Sequence, residues 1–146
     1  MTTSIYSHVA KWIKKISFVH EELDGHSICP YAKKAKWHIV QASDLDVDPI
    51  LIKKQVCIFV LPDSISKTRL NNYCKKLKTL YPDYVWLPDH KNANTKIAGY
   101  STGNGKYNLI LAQKRKELLW ARNTLKQKTS YYTKWTKQYL KQIFNY

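Results

Sequence analysis

The chain has 146 residues, enough for one ordinary domain that buries most of its apolar surface without help from disulfides or metals. Hydrophobic residues make up 44% and aromatic residues 13%, with 4 Gly and 5 Pro, a balance that excludes a long disordered or low-complexity chain. The net charge of +15, from 25 Lys plus Arg against 10 Asp plus Glu, points to an anionic partner, because AT-rich coding alone would also supply acids.

Ile5, Val9, Trp12, Ile13 and Ile16 recur at helical spacing with Lys11, Lys14 and Lys15 between them, so an amphipathic helix is expected over residues 5–20. His20, Glu21, Glu22 and Asp24 form its solvated end, and Gly25 stops it.

The next stretch runs Gly25-His26-Ser27-Ile28-Cys29-Pro30-Tyr31-Ala32-Lys33-Lys34-Ala35-Lys36. Proline loses no hydrogen bond at the first helical position, so Pro30 is expected to open a short helix with Cys29 at its cap. Free backbone N–H groups, the helix dipole, Lys33 and Lys34 would then favour a Cys29 thiolate, with His26 one turn earlier as a proton acceptor. A packed, unreactive cysteine is the competing reading.

Cys29-Pro30-Tyr31 resembles the Cys-Pro-Tyr-Cys turn of glutaredoxins, but Ala32 stands where their second cysteine would be. The wider order, a helix, Ile28-Cys29-Pro30-Tyr31-Ala32, a strand ending Phe59-Val60-Leu61-Pro62-Asp63, then Tyr81-Pro82-Asp83-Tyr84, resembles a family of small bacterial proteins carrying Leu-Cys-Pro-Phe-Ala, with lysine-rich versions in phages. That resemblance covers residues 8–120 and implies a shared site around Cys29; it brings no assigned activity and leaves the basic C-terminal part unmatched.

Trp37–Ala42 is a β candidate in which His38 is expected to be a hydrogen-bonded structural residue. Ser43–Pro49 reads as a solvated turn. Val56–Leu61 is short and continuously apolar, the pattern of a central strand, and Cys57 inside it is expected to be inert. After Pro62, Ser64 or Ser66 caps a helix to about residue 80 whose core stripe is Leu70, Cys74, Leu77 and Leu80. Tyr84–Leu87 is a third strand, and the strand–helix–strand order predicts a parallel pair. Beyond it, Asp89 could orient His90 as a base and Lys91 could hold an anion, against the alternative of an ordinary polar turn.

Residues 91–106 read as a long loop, and Ser101–Lys106 as a weak phosphate cradle ending in Lys106. A helix is expected over residues 107–126, with Ile110, Leu111, Leu118, Ala121 and Leu125 inside and Gln113, Lys114, Arg115, Lys116 and Arg122 outside. A last helix, 131–144, aligns Tyr132, Trp135, Tyr139 and Ile143. From Gln113 to Tyr146 there are nine Lys or Arg and one acid, Glu117.

The expected fold is a single α+β domain over residues 1–146. It has a mixed sheet of three or four strands packed with amphipathic helices, and a helical C-terminal third. Cys29, Cys57 and Cys74 are odd in number and widely spaced, and there is no signal-peptide core or membrane-length apolar run. The expected setting is therefore the cytoplasm, of a host cell for a phage-encoded protein, with no membrane partner. Two functions fit. One is a Cys29 thiol site, with His26 or His90 as base and Lys33, Lys34 or Lys91 selecting an anionic small molecule. The other is a non-enzymatic basic protein whose C-terminal helices bind nucleic acid or an acidic host protein. No cofactor motif is present, and His26 with Cys29 lacks the paired spacing of a metal site.

Overall fold

The computed structural model describes residues 2–16, 19–20, 26–27, 36–94, 96–97 and 100–128. Its elements in chain order are α1 (Thr2–Ile16), β1 (Val19–His20), β2 (His26–Ser27), β3 (Trp37–Gln41), β4 (Val56–Leu61), α2 (Lys67–Leu80), β5 (Tyr84–Asp89), β6 (Lys96–Ile97), β7 (Tyr100–Ser101), β8 (Asn108–Lys114) and α3 (Arg115–Lys128). They fall into two compact units, Ala35–Asn94 with Gly103–Leu118, and Met1–Lys34 with Thr95–Thr102 and Leu119–Tyr146.

The first unit is built on a four-stranded sheet in the order β3-β4-β8-β5, mixed in direction, so the class is α+β. β3 and β4 are parallel, whereas β8 runs antiparallel to both of its neighbours. β4 alternates Cys57, Phe59 and Leu61 toward a core shared with Ile110 and Ala112 of β8, Trp86 of β5, and Leu70, Cys74 and Leu77 of α2. Each large side chain buried there contributes about 1.5–3 kcal/mol. The intervening residues Ile58, Val60, Leu109 and Val85 are buried too, which explains the unbroken apolar runs of β4 and β8. Phe59, Tyr81 and Tyr84 surround Trp86 at ring distances of 6.4, 5.9 and 5.9 Å.

Ser66 is the cap of α2, its hydroxyl accepting from the Arg69 amide at 3.2 Å. The Tyr73 hydroxyl accepts from the Val47 amide at 2.8 Å and fastens the β3–β4 connection to that helix. In the second unit α1 buries Val9, Trp12 and Ile16, and the Trp12 indole donates to the Thr102 carbonyl at 2.9 Å. β1 pairs with β2 and β6 with β7, each antiparallel.

Four expectations are corrected. The first helix stops at Ile16, and Val19–His20 pairs as a strand with His26–Ser27. Residues 91–106 are not all loop, because they contain β6 and β7. β4 and β5 point the same way but are not neighbours, since β8 lies between them. Most consequentially, Asn108–Lys114 is a strand and the helix begins only at Arg115. The Leu111, Leu118, Leu125 spacing suits a helix, but Leu109, Ile110 and Ala112 are all fully buried, more than one helical stripe can be. Inserted as a strand, this run also pairs edges of β4 and β5 that would otherwise be open. β5 extends through Pro88 because it is an edge strand, where a missing N–H is tolerated. The expected helix over 131–144 lies outside the described residues.

Candidate anion-binding cleft

Strand direction decides which residues meet. With β3, β4 and β5 running one way and β8 the other, the starts of the first three and the finish of β8 share one end of the sheet. Lys36 and Gln55 each precede the first β3–β4 pair, Trp37 opposite Val56, and Lys114 lies directly opposite Tyr84. Around this end is a cleft of ≈ 340 Å³ lined by Lys36, Ile52, Lys53, Lys54, Gln55, Tyr84, Lys114 and Glu117. Four lysines and one glutamate therefore line it, and all five residues are exposed.

The backbone under these lysines is cross-linked. The Lys36 amide donates to Gln55 Oε1 at 2.8 Å, and the Val56 amide donates to the Lys36 carbonyl at 3.0 Å. The Lys53 amide donates to His38 Nε2 at 3.0 Å. On the other side, the Arg115 amide donates to the Asp83 carbonyl at 2.9 Å, holding the β8–α3 corner against the turn before Tyr84. Lys91 pairs with Asp63, and among the described residues no ion pair involves Glu117 or a lysine of the cleft. Burial, then the charges of Lys54 and Lys53, lower the pKa of His38, in keeping with Nε2 serving as an acceptor. Gln113 is buried with Oε1 unpaired, and strand alternation turns it away from Lys114.

Of the residues singled out from sequence, Lys114 lines this cleft, on a strand end and not on a helix. Arg115, Lys116 and Arg122 do lie on α3. Lys106 precedes β8, at the far end of the sheet, roughly 26 Å of extended chain from Lys114. Its ammonium stands 5.5 Å from the Tyr107 ring centroid, and the 101–106 segment leads into a strand where a phosphate cradle needs a helix. Lys91 is 4.0 Å from Asp63. His26 belongs to β2, whereas Cys29, Lys33 and Lys34 lie outside the described residues.

Asp89 does not orient His90. Its Oδ2 accepts from the Asn104 amide at 3.0 Å and from Asn104 Nδ2 at 2.6 Å, while burial raises its pKa above the usual carboxylate value. His90 is buried, with Nε2 2.7 Å from the Ile65 carbonyl and Nδ1 accepting from the Asn92 amide at 3.1 Å. Both ring nitrogens hydrogen-bond to backbone groups, so His90 fastens this loop. Asn108, fully buried, completes this end by donating to the Pro62 and Ile65 carbonyls and accepting from the Lys91 amide. Cys57 and Cys74 are buried free thiols, pushed up to about 12, and are therefore inert.

Lys36, Lys53 and Lys54 were not singled out from sequence as anion ligands. Lys53-Lys54-Gln55 immediately before the surest strand was the available signal, but only the strand order shows that Lys114 joins them. Among the described residues no cluster of three or more His, Cys, Asp or Glu could hold a metal, and no helix is long and apolar enough to cross a membrane. No family model, curated protein or solved structure matches the chain.

Proposed function

We propose that the protein binds nucleic acid, and that the lysine cleft at the β3–β4–β8–β5 sheet end is its principal contact. The observation that carries this reading is the convergence of Lys36, Lys53, Lys54 and Lys114 on one cleft whose lining includes a single carboxylate. Like charges gathered without internal partners repel one another, and phosphate oxygens relieve that repulsion. Lysines act as point charges, suited to phosphates and indifferent to base sequence. The net charge of +15 steers a polyanion toward the molecule from a distance.

The test is titration of a dye-labelled single-stranded oligonucleotide with the wild-type chain and with the fourfold Lys36→Gln, Lys53→Gln, Lys54→Gln, Lys114→Gln variant. The variant is expected to bind at least about tenfold more weakly at low salt. Wild-type affinity in the variant overturns the assignment of the cleft. Binding of poly-glutamate but not of oligonucleotide favours an acidic protein as the partner.

A further inference from the structure

Resting on the nucleic-acid reading, we propose that the cleft receives one nucleotide of single-stranded RNA and that Glu117 recognises its ribose. Phosphates suit the lysines; Glu117, an acid in the first turn of α3 where the helix dipole favours it, is the group of the lining that a phosphate does not satisfy. An ionised carboxylate only accepts hydrogen bonds, and beside a phosphate it would repel. Glu117 lies in the first turn of α3, lines the same cleft as the four lysines, and takes part in no ion pair with them. A ligand that satisfies the whole lining must present anionic oxygens to the lysines and a hydrogen-bond donor to Glu117. A ribonucleotide does both, because its 2′-hydroxyl donates while its phosphate accepts.

Size and the remaining lining residues agree with one nucleotide. A volume of ≈ 340 Å³ is at the small end of the range for pockets that hold small molecules. A duplex keeps its bases stacked inside and would lay phosphates on the rim, leaving Tyr84 without a base to stack on. An unpaired nucleotide offers a base face to the half-buried Tyr84 ring, which Trp86 supports from the core at 5.9 Å. Ile52 adds an apolar contact on the same lining.

The experiment compares a dye-labelled ten-nucleotide oligouridylate with its deoxyribose counterpart, in fluorescence anisotropy with the full chain. The wild type is expected to prefer the ribose form roughly tenfold, the range of one hydrogen bond to a charged group. In Glu117→Ala the ratio should fall to near one while affinity for the deoxy form rises. Glu117→Gln, which keeps a carbonyl acceptor, should retain part of the preference. A wild-type ratio of one with binding still dependent on the four lysines overturns the ribose assignment alone. An undiminished ratio in Glu117→Ala does the same. Failure of both oligomers to bind at low salt overturns the nucleic-acid reading and this inference together.

Discussion

The Lys53 backbone amide donates to His38 Nε2 across 3.0 Å, so a histidine on β3 holds in place the segment that carries two lysines of the cleft. An acceptor nitrogen cannot carry a proton, which couples this contact to pH. Burial first, then Lys54 and Lys53, lower the pKa of His38 from 6.5.

Because the folded state binds the His38 proton less readily than the unfolded chain, unfolding takes up protons in the window just below pH 6.5. Stability should therefore rise with pH through that window, and His38 should contribute a loss as pH falls through it. His38→Gln, which keeps an acceptor and does not titrate, should flatten this part of the profile. Urea denaturation of both proteins between about pH 5 and 7.5 checks it, and identical profiles would remove His38 from the account.

Asp89 titrates in the opposite sense. Its pKa is raised by burial, with the Asn104 hydrogen bonds and His90 only partly offsetting it, so the folded state binds its proton more readily than the unfolded chain. Ionisation costs stability as pH rises above the ordinary value of 3.8. Asp89→Asn, which keeps an oxygen for the Asn104 donors, should match or exceed the wild type at pH 7. Asp89→Ala orphans those donors and should lose about 1–3 kcal/mol. Denaturation midpoints compare the three proteins, and an Asp89→Asn protein as weak as Asp89→Ala would show that the charge itself is needed.

The difference between these two ends of the sheet shows where sequence is informative. β4 was legible because six consecutive apolar residues can only be a strand buried on both faces or a piece of buried helix, and Pro62 limits the length. β8 has the same character in Leu109-Ile110-Leu111-Ala112, but its leucines continue into α3 at helical spacing and hide the boundary at Arg115. Misplacing that boundary put Lys114 on a helix face and separated it from Lys36, Lys53 and Lys54. A cleft assembled by four strand ends depends on non-local pairing, which periodicity within one segment does not encode. His90 misled for a related reason: its neighbour Asp89 is adjacent in sequence, whereas its actual partners are Ile65 and Asn92.

Thiol chemistry separates in a simple labelling experiment. With Cys57 and Cys74 pushed up to about 12 by burial, neither should react with iodoacetamide in the folded protein at pH 8, and both should react in denaturant. Peptide mass spectrometry assigns the sites. Any native-state labelling then belongs to Cys29, whose reactivity against pH tests the thiolate expected from Pro30, Lys33 and Lys34. Labelling of Cys57 or Cys74 without denaturant would contradict their place in the core.

The most direct measurement is the salt dependence of oligonucleotide binding by the wild type and by the variant with glutamine at Lys36, Lys53, Lys54 and Lys114. A nucleotide seated in the cleft brings the phosphates on its 5′ and 3′ sides. Each phosphate contact on a single strand contributes about −0.7 to the slope of log affinity against log salt, so removing the four lysines should make the slope shallower by roughly 1.4. That change would assign the phosphate contacts to the cleft. An unchanged slope with unchanged affinity would place nucleic-acid binding elsewhere on the molecule and contradict the account.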